Sequence, residues 1–235
     1  MKALQAIVFD FDGVIANSEP LHLKAFQAAL AEEGIALSAK EYYDRYLGFD
    51  DVGMFEALSR DRGLGMTDRH VTALVARKGI KLEEMLHEGS VLFPGAREFV
   101  RAAAAEVPVA IASGALRHEI EEVVVAAGIS DLFMAIVASG DTPESKPSPA
   151  PYRLAFEQLR ERSGRPLDPE RCVAIEDSRW GLESAAGAGL RLVGVTTSYA
   201  AHELPEAELV VAGLHALTLE QLDELCRGQR VGSRG

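Results

Sequence analysis

Apolar residues fall along this chain in two patterns. The stretches "ALQAIVFD", "VPVAIAS", "RCVAIED" and "LRLVGVTT" are almost unbroken apolar runs that end in charges, hydroxyls or turns. Runs of that length read as strands covered on both faces, whereas alternation would mark a sheet with one wet side. Elsewhere the apolar positions return at helical spacing. In "SEPLHLKAFQAALAEEGI" they are Leu21, Ala25, Ala28, Ala29 and Leu30, and the closing Gly-Ile marks a stop.

The order of these elements predicts the architecture. After the first strand, residues to about 88 are nearly all helical. Further helices are expected around Tyr42 to Leu47, in "VGMFEALSRDRG" and in "DRHVTALVARKGIKLEEMLHEG". From "VLFPGAREFV" onward, helix and strand alternate: helix "PGAREFVRAAAAE", strand "VPVAIAS", helix "ALRHEIEEVVVAAG", strand "MAIVAS", and a helix from about Pro149 to Arg162. "RCVAIED", "RWGLESAAGAG", "LRLVGVTT", "AELVVAG" and "LTLEQLDELCRG" continue the series. Such alternation builds an α/β fold with a doubly wound, mostly parallel sheet. Residues 1–16 and 89–235 are therefore expected to form the core. Residues 17–88 form a helical domain inserted in the first βα connection, which is far longer than the usual few residues.

Composition removes several function classes. The chain has 235 residues with 24 basic and 36 acidic side chains, a net charge of -12. That sign opposes non-specific binding to nucleic acid or anionic lipid. No apolar run approaches the ~18 residues of a membrane span, and acidic residues come too early for a signal peptide, so the expected address is cytoplasmic. Cys172 and Cys226 lack metal-type spacing and read as buried, reduced thiols. The basic, glycine-rich "RGQRVGSRG" reads as a frayed tail, and a monomer or weak dimer is expected.

In open parallel sheets, ligands sit beyond the carboxyl ends of the strands. Asp10 and Asp12 follow the first expected strand, Ser113 and Gly114 the second, Lys146 the third, and Glu176 with Asp177 the fourth. Carboxylates a few Å apart repel by about 4 kcal/mol per pair at an effective dielectric near 20. Such a group calls for a cation, and hard oxygen donors of this kind suit Mg²⁺. Lys146 and Ser113, with backbone N–H groups, can then hold phosphate oxygens. Residues i and i+2 of a strand share a side. Asp10 can thus attack phosphorus while Asp12 handles protons, and Gly13 lets the chain turn beside the ligand. The bland alternatives are a turn-forming Asp-Gly, a helix-capping Ser113, a solvated Lys146, and helix caps at Glu176 and Asp177. Four complementary groups at successive strand ends outweigh them.

The segments "DFDGV", "ASG", "SKPSPAPY" and "IEDS" resemble, in order and spacing, the four motifs of the haloacid dehalogenase (HAD) superfamily. The resemblance covers essentially the whole chain. It points to the β-phosphoglucomutase and phosphoglycolate phosphatase-like members, with a Rossmann-like core and a four-helix cap. It implies Asp10 as nucleophile, Asp12 as acid/base, and Ser113, Gly114 and Lys146 as phosphate holders. Mg²⁺ would lie among Asp10, the main-chain oxygen of Asp12, Glu176 and Asp177. His22 falls where family mutases and some phosphatases carry a substrate-side histidine, with Glu19 a weaker candidate. Lys78 aligns with a cap lysine and is preferred over Arg77 and Lys81. Trp180 replaces the small residue common in the mutase.

The implied activity is a Mg²⁺-dependent phosphatase for a small phosphorylated metabolite. A sugar phosphomutase is the nearest alternative, weakened because Gly48 is followed by Phe49, Asp50 and Asp51 rather than by the mutase's arginine. Dehalogenation has no use for Mg²⁺ or Asp12. A phospho-receiver would place its lysine last, whereas Lys146 precedes Glu176 and Asp177 here.

Overall fold

A computed structural model describes residues 2–46, 49, 51–88 and 91–228. The expected "RGQRVGSRG" tail from residue 229 lies outside these, as do Gly48 and Asp50 of the mutase comparison. The chain divides into two compact units: Met1–Asn17 with Val91–Gly235, and Ser18–Ser90.

The first unit is a six-stranded sheet in which every pair is parallel. Its strands are β1 (Ala6–Phe9), β2 (Val109–Ala112), β3 (Ala135–Val137), β4 (Cys172–Glu176), β5 (Arg191–Val195) and β6 (Leu209–Val211), in the order β3-β2-β1-β4-β5-β6. The uninterrupted apolar runs have their cause in this order, since β1, β2 and β4 are buried at every residue. One face packs Val8, Ala110, Tyr152, Phe156, Ala174 and Leu182 into a single cluster. On β1, Phe9 meets Phe99 and Phe133 edge to face, at 6.2 and 6.3 Å between ring centres. Strand order reverses beside β1, so the loops after β1 and β4 flank one crevice.

The helices expected in this unit appear as α5 (Ala96–Glu106), α6 (Arg117–Ala126), α7 (Ala150–Ser163), α8 (Arg179–Gly187) and α9 (Leu219–Arg227). Ser178 caps α8 by accepting from the Gly181 N–H at 3.1 Å. The structure corrects the capping role considered for Ser113. Its helix α6 starts at Arg117 with Leu116 as N-cap, and the Ser113 hydroxyl instead accepts from the Ala115 N–H.

The second unit holds α1 (Glu19–Ala31), α2 (Ala39–Arg45), α3 (Asp51–Arg62) and α4 (Asp68–Glu88) around its own core of Leu23, Phe26, Leu30, Phe55, Leu58 and Leu74. Phe26 and Phe55 stack edge to face at 5.3 Å, an arrangement adding roughly 0.5–1.5 kcal/mol beyond area burial. Helix α2 begins earlier than the expected start near Tyr42, because Ser38 caps it through the Glu41 N–H.

Candidate active site

The chain turns immediately after β1. Asp10 still donates its N–H to the β4 carbonyl of Ile175, at 2.9 Å. The next carbonyl, on buried Phe11, collects the N–H groups of Val14, Ile15 and Ala16, which winds the chain into a tight loop. Asp10 and Asp12 therefore lie beyond the last residue of β1, at the entry to this loop. The carboxylate of Asp12 is outside the acidic group formed by its neighbour, although it lies near enough to Asp177 to raise that residue's pKa.

That group is Asp10, Glu176 and Asp177, whose carboxylate oxygens approach within 4.8 Å of one another. All three are buried. Lys146 reaches in from the loop before α7, its Nζ at 2.8 Å from Asp10 Oδ1 and 2.6 Å from Glu176 Oε1. The Phe11 N–H also donates to Asp10 Oδ1, at 2.8 Å, so both contacts fall on one oxygen. Ser113 is buried at the end of β2, and Gly114 beside it is exposed.

Glu176 is the most tightly held of the acids. Oε1 accepts from Lys146 and from the Tyr152 hydroxyl at 3.1 Å. Oε2 accepts from the Asp177 N–H, the Ser178 N–H and the Ser178 hydroxyl, at 3.0, 3.0 and 2.9 Å. Five donors meet this carboxylate, so it brings negative charge to the group and would hold a cation directly only by releasing one of them. Space for it comes from Gly181, where an added Cβ would lie 1.7 Å from Oε1. A second close approach occurs at Gly13. Its φ is +77° and a Cβ there would lie 1.9 Å from Asp177 Oδ2.

The loop after β5 supplies contacts that the four expected strand ends omit. Ser198 donates its hydroxyl to Asp177 Oδ2, and Thr197 donates to the Gly13 carbonyl at 2.5 Å. Neither residue carries a chemical signature in sequence. Their only signal is a position after an apolar run, the same argument that singles out Asp10.

Charge balance defines what the group can hold. Burial, then Glu176, hold the Asp10 carboxyl well above the usual aspartate range despite the opposing pull of Lys146. Burial and Glu176 push Asp177 up to about 7. Burial alone would raise Glu176 as well, but Lys146 and Ser178 outweigh it and keep it below its ordinary value. For Lys146, burial favours the neutral amine, yet Asp10 and Glu176 prevail and hold it charged. With all three carboxylates ionised, one ammonium would leave two negative charges uncompensated, and the raised acids record that excess together with their burial. The donor set thus fits a divalent, oxygen-seeking cation such as Mg²⁺.

In the helical unit, Lys78 is 1% exposed and ion-paired with Asp51 at 2.8 Å. Its Nζ also lies 3.0 Å from His22 Nδ1 and 5.1 Å from the Phe26 ring centre. Burial and the Lys78 charge push His22 down to about 3, so the imidazole is neutral, with Nδ1 accepting and Nε2 bearing the proton. Glu19 accepts from the Tyr42 hydroxyl. Arg77 and Lys81 pair with Glu32. Trp180 stands 63% exposed in the first turn of α8, so it does not pack the helix terminus.

With this geometry in place, the comparisons with known proteins are decisive on family. Residues 4–189 match the haloacid dehalogenase-like hydrolases. The chain belongs to that family. Among haloacid dehalogenase-like relatives, protein CbbY of Rhodobacter capsulatus is 32% identical, over 94% of this chain and 99% of its own length. Hexitol phosphatase B of Escherichia coli (strain K12) is 29% identical, over 92% and 94%. The crystal structure of CbbY from Rhodobacter sphaeroides in complex with phosphate superposes with a TM-score of 0.77 at 29% identity, over 94% and 99%. This haloacid dehalogenase-like chain is accordingly a hydrolase. No helix among its described residues is long and apolar enough to cross a membrane.

Proposed function

We propose that the protein is a Mg²⁺-dependent phosphatase for a small phosphorylated metabolite of the sugar-phosphate type, acting through an aspartyl-phosphate on Asp10. The observation that carries this reading is the placement of Lys146 Nζ between Asp10 Oδ1 and Glu176 Oε1. A buried carboxylate with one oxygen held by an ammonium offers the other, Oδ2, to phosphorus. The same ammonium meets the charge that develops on the phosphoryl oxygens. Ser113, with the Gly114 backbone, provides further donors for those oxygens. Asp12, outside the acidic group, protonates the leaving alkoxide and then takes the proton of the attacking water. Asp10, Asp177 and the main-chain oxygen of Asp12 would hold the cation, with Glu176 contributing charge while it anchors Lys146. When bound, Mg²⁺ supplies neutralising charge to the phosphoryl oxygens and the carboxylates. We assign the helical unit the role of the family's cap, with His22 as its substrate-side residue and the buried Lys78 orienting that imidazole.

A panel of phosphorylated metabolites assayed with Mg²⁺, beside Asp10→Asn, tests the proposal. Phosphate release by the native chain and its near-complete loss in the variant are expected, because an amide cannot attack phosphorus. Conversion of β-glucose 1-phosphate to glucose 6-phosphate without net release would replace this reading with a mutase.

A further inference from the structure

Tyr152 is a buried polar side chain that the proposed chemistry leaves without a role. It lies in the first turn of α7, is 0% exposed, and belongs to the sheet unit's apolar cluster. Two of its parts nevertheless touch the charged group. The hydroxyl donates to Glu176 Oε1 at 3.1 Å, and the ring faces Lys146 Nζ at 5.0 Å from its centre. The tyrosine thus contacts both members of the Lys146–Glu176 pair, each through the part suited to it. The ring's negative face attracts the ammonium, and the phenol O–H satisfies a carboxylate lone pair.

Lys146 has four methylenes and many rotamers, and it follows a loop rather than a strand. A lysine ammonium is a point charge with no planar fork to orient it, so its aim depends on what surrounds it. Glu176 alone fixes a distance, not a direction. A ring on one side, with a hydroxyl pinning the same Oε1 that Lys146 binds, leaves Nζ one well-defined position, and that position is 2.8 Å from Asp10.

We propose that Tyr152 is a positioning residue, a two-point template that aims Lys146 at the phosphoryl group through its ring and hydroxyl together. The inference rests on the phosphatase reading above. It implies that Tyr152 affects the binding of phosphoryl-like anions in addition to stability.

The test compares native protein, Tyr152→Phe and Tyr152→Leu in three measurements: kcat and KM on the best ester of the panel, inhibition by orthovanadate, and the melting temperature. Tyr152→Phe keeps the ring and the packing. It is expected to lower kcat roughly 5–10-fold with KM changed less than twofold, and to weaken vanadate inhibition by a similar factor. Tyr152→Leu, which loses both contacts, should lose at least a further 5-fold in kcat. A Tyr152→Phe protein with native kcat and native vanadate inhibition overturns the proposal, whatever its melting temperature. A native chain that releases no phosphate from any ester would overturn the phosphatase reading and this inference with it. Turnover by the native chain, unaltered in Tyr152→Phe, would overturn this inference alone.

Discussion

The same substitution, glycine to alanine in a helix, should have opposite effects at two places in this molecule. Gly79 lies in the interior of α4, exposed, with nothing within 4 Å of an added Cβ. Gly79→Ala should stabilise by about 0.5–1 kcal/mol through reduced backbone entropy of the unfolded chain. Gly181 occupies the first turn of α8, where an added Cβ would meet Glu176 Oε1, Cδ and Oε2 at 1.7, 1.8 and 2.2 Å. Restoring an ordinary separation above 3.0 Å moves Oε1 by more than 1 Å, while its bonds to Lys146 and Tyr152 measure 2.6 and 3.1 Å. Both bonds break or stretch, and a buried ammonium loses its anchor. Breaking one side of a buried, hydrogen-bonded pair costs about 3–5 kcal/mol, which exceeds the helix-propensity gain several-fold. Urea unfolding of the two variants beside the native chain measures the difference. Gly181→Ala should lose at least 2 kcal/mol and most of its phosphatase activity, with Gly79→Ala active and slightly more stable. A Gly181→Ala protein as stable as Gly79→Ala would refute the packing argument for Glu176.

Three other outcomes are expected. Asp177 titrates near 7 in the fold against an ordinary 3.8, so between those values the folded state binds more protons than the unfolded one. Stability in EDTA should therefore fall as pH rises through that interval, on the order of 4 kcal/mol if Asp177 acted alone, and saturating Mg²⁺ should remove the slope; denaturant titrations across pH check both. His22, pushed down to about 3, should show no imidazole titration by nitrogen NMR between pH 8 and 4, and a midpoint near 6.5 would contradict its burial against Lys78. Asp51→Ala leaves the Lys78 ammonium buried without its counter-charge and should cost about 3 kcal/mol, whereas Lys78→Met, which removes the charge and keeps the volume, should cost less; thermal melts rank the two.

Much of this fold is legible because its strands are apolar throughout and its helices are not. Asp10, Lys146, Glu176 and Asp177 are legible because polar groups at the ends of buried strands have few structural uses. What escapes the sequence depends on packing across long separations. Tyr152 reads as one more apolar residue at helical spacing until its hydroxyl is seen on Glu176. Gly181 looks like a tolerated helix glycine, and nothing local reveals the carboxylate beside it. Lys78 reads as a cap lysine on the substrate side, and nothing local reveals its burial against Asp51 on a different helix. The alternation argument treats Asp10 and Asp12 as strand residues, whereas β1 closes at Phe9 and the Phe11 carbonyl gathers three N–H groups into a loop. The start of α2 was within reach of sequence reasoning, since Ser38 followed by Glu41 is a helix-start signal.

The central position of β1 has a kinetic consequence. Ile7 pairs with Val109 and Val173, partners 102 and 166 residues downstream, so the strand that leads into Asp10 closes the longest loops in the sheet. Topologies dominated by such distant pairings fold slowly. The helical insertion shortens the search. Its two ends are tied where the Asn17 N–H donates to the Val91 carbonyl at 2.7 Å, beside an antiparallel bridge between Ala16 and Leu92. Once residues 18–90 have collapsed around Phe26 and Phe55, the open loop between Ile7 and Val109 contracts from 102 residues to about 30, which lowers its closure entropy by about 1 kcal/mol. The insertion thus acts as a clasp that brings the strand leading into Asp10 to its neighbours.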